Sequence, residues 1–227
     1  MLSFLTHPPP RTDISLKNPI TSADGAVTTY FVAPEKPDQE FCIRQIFHMH
    51  KIREIRKAGK ETYIIPPYNV HWGQTEVFTV EKGALIAILD GKHITYKAGE
   101  SFLIKSGVYH TFTVDSSLDE DMVLVVKPEK WEEGMDEKFF RNLFGYLDDC
   151  HRANVHPNLF QLLLILYDSE TSVVVPKVPK MIGKFMGRWL LGFVGGKIIG
   201  GKLLGFRPSY REYYAGTVFD EMSKKRR

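Results

Sequence analysis

The chain has 227 residues, 43% of them hydrophobic and 25% charged, with a formal net charge of +3. This composition excludes wholesale disorder, and the length allows one domain with a full core plus a substantial appendage. Charge is unevenly distributed: residues 176–227 hold twelve Lys/Arg against three acids, which leaves a mildly acidic body and a basic tail. Such a tail suits an anionic partner, a membrane surface before nucleic acid, or else a solvated end with no partner.

Two cysteines, Cys42 and Cys150, lie far apart without metal-ligand spacing, which favours a reducing compartment over a disulfide framework. Residues 1–11 lack the apolar run and small-residue cleavage site of a signal peptide, so a cytoplasmic location is expected, with peripheral membrane contact as a variant of it.

In chain order, residues 1–23 read as irregular, with three consecutive prolines, Pro8 to Pro10. Ala26 to Ala33 is β-branched and aromatic and predicts a strand, followed by a loop over 34–38 and a second strand over 41–49. Lys51 to Gly59 is charge-rich and fits either a strand extension or a helical turn. From Glu61 to Val126 short apolar-alternating runs are punctuated by turn residues: Glu76–Val80, Ala84–Leu89, His93–Lys97, Ser101–Lys105, His110–Val114 and Met122–Val126. Asp90-Gly91 between two of them is a strong signal for a type I′ hairpin turn. Evenly spaced short strands argue for a barrel or sandwich and against βαβ units. After Pro128 the period changes. Phe139, Phe140, Leu143, Phe144 and Leu147 recur at helical spacing within 136–153, and Pro157 to Tyr167 predicts a second helix with proline at its first position. Val173 to Pro179 reads as extended.

The chemistry is concentrated in Asn69-Val70-His71-Trp72-Gly73-Gln74-Thr75-Glu76 and in Gly107-Val108-Tyr109-His110. Two imidazoles and a carboxylate, His71, Glu76 and His110, form the donor set that holds a metal on one face and leaves other positions open to substrate and O2. Glu76 at the start of a strand needs a cationic partner if it points inward, because an unpaired buried carboxylate is costly. His48-Met49-His50, with Glu54 nearby, is a second histidine pair, but Gly59 follows too soon and no hairpin succeeds it. His93, His151 and His156 have no supporting context. Trp72, Phe78, Phe102, Tyr109 and Phe112 could wall an apolar pocket or fill an ordinary core.

Two motifs in this stretch resemble those of the cupin superfamily. The first, usually His-x-His, three or four residues, Glu, six residues, Gly, stands as Asn69-Val70-His71, four residues, Glu76, six residues, Gly83. The second, usually Gly, five residues, Pro-x-Gly, two residues, His, three residues, Asn, stands as Gly99, five residues, Lys105-Ser106-Gly107, two residues, His110, three residues, Val114. The resemblance implies a mainly β, cupin-type jelly-roll barrel over 24–127, with an irregular segment 1–23 before it and a helical basic region 128–227 after it. It also implies His71, Glu76 and His110 as ligands of a divalent metal, Fe(II) favoured and Mn, Ni or Zn as alternatives. Asn69 stands in the place of the first histidine, and an amide oxygen is a weaker ligand than imidazole for such ions. Stand-alone cupins, including fungal ones associated with natural-product pathways, point to dioxygenase-type oxidoreductase chemistry on a small apolar or aromatic substrate, with Asn69 or Trp72 orienting it. A non-redox isomerase or cyclase, or a non-catalytic binding barrel, are the alternatives.

Met181 to Val194 is amphipathic if helical, with Ile182, Phe185, Met186, Trp189, Leu190 and Phe193 on one face and Lys184 and Arg188 opposite. Gly195-Gly196 is expected to interrupt it. The segment 181–206 is too short and too charged to span a bilayer but suits an interfacial helix. Glycines 192, 196 and 200 permit close helix packing, so the plainer expectation is that this face packs on the chain's own barrel or on a second copy in a homodimer. Tyr210 to Tyr214 suggest a docked tail, and no glycine-rich nucleotide loop or nucleophile elbow is present.

Overall fold

The computed structural model describes residues 8–34, 41–59, 63–115, 119–129 and 136–216. The N-terminal residues 1–7, all but Pro34 of the loop expected at 34–38, and the basic residues 224–227 lie outside the described residues.

Among the described residues, eleven strands form two antiparallel sheets facing each other. One sheet runs in the order β1 (Ile20–Ser22), β2 (Val27–Val32), β3 (Cys42–Phe47), β10 (Met122–Pro128), β5 (Glu76–Lys82), β8 (Ser101–Ile104). The other runs β11 (Thr171–Val173), β4 (Asn69–His71), β9 (His110–Val114), β6 (Ala84–Leu89), β7 (Lys92–Lys97). The period-2 burial expected of half-buried strands is clear in β3, β5 and β9, where every second residue faces the interior. Ile43, Phe47, Phe78, Val80, Phe112, Val114 and Leu124 fill that interior. The β6–β7 turn has positive φ at both Asp90 and Gly91, as a type I′ turn requires. At the β5–β6 turn, Gly83 has φ +75° and a Cβ there would sit 3.1 Å from Met122 Cα, so glycine is demanded twice over.

Several local expectations are corrected. The ambiguous stretch after His48 is a helix, α1 (Met49–Lys57), because Met49, Ile52 and Ile55 share one buried face. Residues 20–22, expected to be irregular, pair with β2 as β1. The second C-terminal helix is α3 (Leu159–Asp168), and it begins beyond Pro157: the Asn158 side chain accepts from the backbone N–H of Phe160 and Gln161 and caps it. Extended structure begins at Thr171, where β11 pairs with β4 instead of starting at Val173.

The C-terminal region packs on the barrel through α2 (Glu137–Arg152), capped by Asp136, whose side chain accepts from Phe139 N–H. Phe140 on α2 meets Phe41 with ring centroids 6.1 Å apart. Buried Arg141 pairs with Glu137 and donates to the carbonyls of Ile14 and Lys17, which ties the N-terminal segment down. The tail is docked as expected, with Tyr213 buried and donating to Asp149 at 2.6 Å.

Gly195-Gly196 does not break the last helix. A short α4 (Lys180–Phe185) continues directly into α5 (Met186–Leu203), which is wound in the wider π form. Glycines 187, 192, 196 and 200 recur at steps of five, four and four, longer than the 3.6-residue α repeat, so the wider winding keeps them on one edge. That edge lies against β11 and α3: a Cβ on Gly196 would be 2.7 Å from the Leu163 carbonyl, and one on Gly200 2.7 Å from the Phe160 oxygen. The apolar face of 181–194, expected to pack on the chain's own barrel or on a second copy, is turned away from the barrel for much of its length, with Ile182, Phe185, Trp189 and Leu190 exposed and Met186 and Phe193 half-buried.

Candidate metal centre

His71, Glu76 and His110 come from three strands, β4, β5 and β9, and all three side chains are buried. They are the group of three potential ligands found among the described residues, with donor atoms within 4.8 Å of one another. Glu76 Oε2 lies 3.1 Å from His71 Nε2 and 3.3 Å from His110 Nε2. Donors held about 2.1 Å from a shared ion at adjacent positions stand about 3 Å apart, so this spacing suits one ion.

The hydrogen bonds behind the rings fix which nitrogens face inward. His110 Nδ1 is 3.0 Å from the Val108 carbonyl, which can only accept, so that nitrogen carries the proton. His71 Nδ1 is 2.9 Å from Thr171 Oγ1, and the Thr171 hydroxyl itself donates to the Ser169 carbonyl at 3.3 Å, so His71 Nδ1 donates as well. The Nε2 atom of each ring is thereby the one turned toward Glu76. Glu76 Oε2 approaches both rings closely yet completes no hydrogen bond with either. Burial by itself pushes the Glu76 carboxyl up, but His71 and the contacts from both imidazoles more than reverse this, so Glu76 is held as a carboxylate. The negative charge is balanced either by a proton on a ring nitrogen or by a cation gripped between the three groups.

Asn69 stands beside them. Its Nδ2 donates to the carbonyls of Pro67 at 2.9 Å and His110 at 3.3 Å, which leaves its Oδ1 buried without a partner. Among the described residues, the two buried side-chain atoms that lack a hydrogen-bond partner, Asn69 Oδ1 and Glu76 Oε2, belong to residues that line the same cavity. A buried acceptor left unmade is costly, and two on one wall fit a cation site. The residues present thus fit a divalent metal.

The cavity has a volume of about 520 Å³, within the range of small-molecule sites. Its barrel side holds Asn69, His71, Glu76 and His110 with Phe78, Phe112 and Val126. Its opposite wall is built from α2 and α3, through Phe139, Phe140, Leu143, Phe144, Leu147, Leu162, Leu163 and Leu166. Pro67, His156 and Leu159 line it while remaining exposed, and so mark its opening. A second cavity of about 30 Å³ beside Asp148 and His151 contains none of the three clustered groups.

Trp72 is not brought to the cavity. One residue beyond His71, it turns away, donates to Ser172 Oγ at 2.9 Å and lies under the Arg188 guanidinium. Of the other aromatic residues expected to wall a pocket, Phe78 and Phe112 do so; Phe102 stacks on Tyr96, and Tyr109 donates to the Lys180 carbonyl outside. His48 is turned away too, held between Thr28 Oγ1 at 2.9 Å and Asp121 Oδ2 at 3.1 Å. Reading by sequence missed Thr171, a hundred residues from the histidine it orients, and missed Gln45, Tyr63 and His156 on the cavity wall. No local pattern marks Thr171; only the pairing of β11 with β4, which sets Thr171 opposite His71, reveals it.

A two-sheet barrel with a buried imidazole–imidazole–carboxylate cluster at the base of an apolar cavity defines the class: a β-barrel protein with a candidate metal site. The cupin domain family matches residues 60–126. A probable oxidoreductase of Hypocrea virens, virH, is 34% identical over 217 residues, covering 93% of both chains. The oxidoreductase iacF of Pestalotiopsis fici is 31% identical over 70% of this chain and 75% of its own. The epoxidase atD of Aspergillus terreus is 27% identical over 83% of this chain and 61% of its own. The chain belongs to the cupin superfamily, and these relatives are fungal proteins with oxidoreductase-type names.

Proposed function

We propose that this cupin is a metal-dependent oxidoreductase of the dioxygenase kind acting on a small apolar or aromatic molecule. The observation that carries the reading is the convergence of two imidazole Nε2 atoms and a carboxylate on one point at the base of an apolar cavity. A bound divalent metal, Fe(II) before Mn, Ni or Zn, would supply O2 activation and polarise a substrate oxygen. The chain's own side chains do the remaining work. His71, Glu76 and His110 hold the ion from one side. Asn69 Oδ1 offers a weaker fourth contact or orients a substrate hydroxyl through hydrogen bonding. The Phe78, Phe112, Phe140 and Phe144 rings hold an apolar substrate and exclude bulk water. The oxidoreductase names of the relatives support the redox reading, and the epoxidase name of one is compatible with oxygen insertion.

The test is metal stoichiometry in full-length protein purified without a chelator or histidine tag and loaded anaerobically with Fe(II). One ion per chain is expected, lost in His71→Ala and His110→Ala and kept in His48→Ala. If the wild type never takes up stoichiometric metal, the metalloenzyme reading fails. Metal uptake without O2 consumption across apolar and aromatic candidate substrates moves the reading to isomerase or cyclase chemistry.

A further inference from the structure

A helix on the surface of a globular protein ordinarily turns its large apolar side chains inward and its polar ones outward. The continuous helix from Lys180 to Leu203 does the reverse. Its inner edge is glycine, pressed so closely on α3 and β11 that no side chain fits. Its large apolar residues consequently face solvent: Met181 is 85% exposed, Phe185 64%, Leu190 51% and Trp189 50%. Exposed apolar area of this continuity marks an interaction surface.

The charge around the face selects the partner. Residues 171–211 contain eight Lys/Arg and no Asp or Glu. Lys180 and Arg188 turn inward to Asp90 and Glu170, while Lys197 and Lys202 stand exposed on the same helix as the apolar residues. Self-association through this face would set two such basic segments against each other, whereas an anionic surface complements them. Apolar side chains of about one helix face, an indole among them and lysines alongside, are the composition of a helix lying in the plane of a bilayer interface. Among the described residues no helix is long and apolar enough to cross a membrane.

We propose that the face formed by Met181, Ile182, Phe185, Trp189 and Leu190, with Lys197 and Lys202, seats the protein on an anionic lipid surface. The position has a consequence for the cavity. The far end of the helix, at Gly200, lies against Phe160 at the start of α3, one residue from Leu159 at the cavity opening.

The test is flotation of the full chain with vesicles of phosphatidylcholine alone and of phosphatidylcholine mixed with phosphatidylserine. Binding to the anionic vesicles is expected to exceed binding to the neutral ones by about tenfold or more, and to fall with added salt. Phe185→Ser with Trp189→Ser is expected to lower it by more than about tenfold, as is Lys197→Gln with Lys202→Gln. These positions are exposed, and unchanged circular dichroism and metal content would show that the variants fold. Quenching of tryptophan emission by brominated lipid, lost in Trp189→Phe, reports insertion of this face directly. The proposal is overturned if the wild type ignores anionic vesicles. It is equally overturned if light scattering shows a stable dimer that Phe185→Ser with Trp189→Ser dissociates, since the face would then be a protein interface.

Discussion

In the barrel, Phe78, Val80, Phe112 and Leu124 point inward while their neighbours along each strand turn outward, so side-chain size fills the core and the sheets stand apart. In α5 the inward positions are Gly187, Gly192, Gly196 and Gly200, the backbones meet, and the bulk of each turn lies outside. The two regions nevertheless share one cavity: the barrel supplies Asn69, His71, Glu76 and His110, and α2 and α3 supply the apolar wall across from them. Through β11 the C-terminal region also adds a strand to β4 and places Thr171 behind His71. A region that contributes none of the three clustered side chains thus orients one of them.

The sharpest way to break this comparison is to remove the second region. A chain ending at Lys127 or Pro128 would expose Ile43, Phe78, Phe112 and Phe41 and leave β4 without β11. Burial of apolar area drives folding, and a shared core cannot be halved without losing it. The truncated barrel is therefore expected to be insoluble or to show no cooperative thermal transition. A soluble barrel with native metal affinity would show that the C-terminal region is an appendage.

At the cluster itself the two contributions differ in size. Glu76→Gln removes the charge that the site is built around and is expected to lower divalent-metal affinity by more than about a hundredfold. Thr171→Val keeps the shape but removes the acceptor for His71 Nδ1–H, and is expected to cost about ten- to a hundredfold, with Thr171→Ser restoring it. Titration with a competing chromophoric chelator measures both. Equal affinity for Thr171→Val and wild type would mean that His71 is oriented by packing alone. The pH dependence follows from Glu76: its pKa is depressed in the fold, so its carboxylate persists as pH falls through the ordinary carboxylate range and is lost only below it. Metal release on acidification is therefore not expected to follow protonation of Glu76 within the ordinary carboxylate range, and a metal-binding titration that loses affinity there would overturn this.

These expectations also show which parts of the molecule can be read along the chain. The hairpin at Asp90-Gly91, the strands around it and the convergence of His71, Glu76 and His110 follow from turn chemistry and from motif spacing, which are local. The outward turn of Trp72 follows from strand alternation, since it succeeds inward-facing His71, but its place at a strand end hid that consequence. Thr171 and the cavity wall on α2 and α3 are set by packing between segments far apart in sequence, and nothing near them announces it. The helix at 181–203 misleads for a different reason. Helical periodicity shows that an apolar face exists, but not whether it is the inner one, and here glycine takes the inner position.

Two glycines of α5 measure that inversion at its smallest scale. In a helix, Gly→Ala ordinarily stabilises by about 1 kcal/mol, because alanine loses less backbone entropy. At Gly201 the nearest atom to a new Cβ is Leu164 Cδ2 at 3.8 Å, so Gly201→Ala is expected to be neutral or to gain up to about 1 kcal/mol. At Gly196 the same Cβ would be 2.7 Å from both the carbonyl carbon and oxygen of Leu163, which are backbone and can yield only if α3 and α5 separate. Overpacking of this kind costs about 1–3 kcal/mol, outweighing the propensity gain, so Gly196→Ala should lower the melting temperature by several degrees. Thermal denaturation of the two variants beside wild type gives the sign of each effect. If both alanines behave alike, α5 is not held by backbone contact, and the outward placement of its apolar face loses its physical cause.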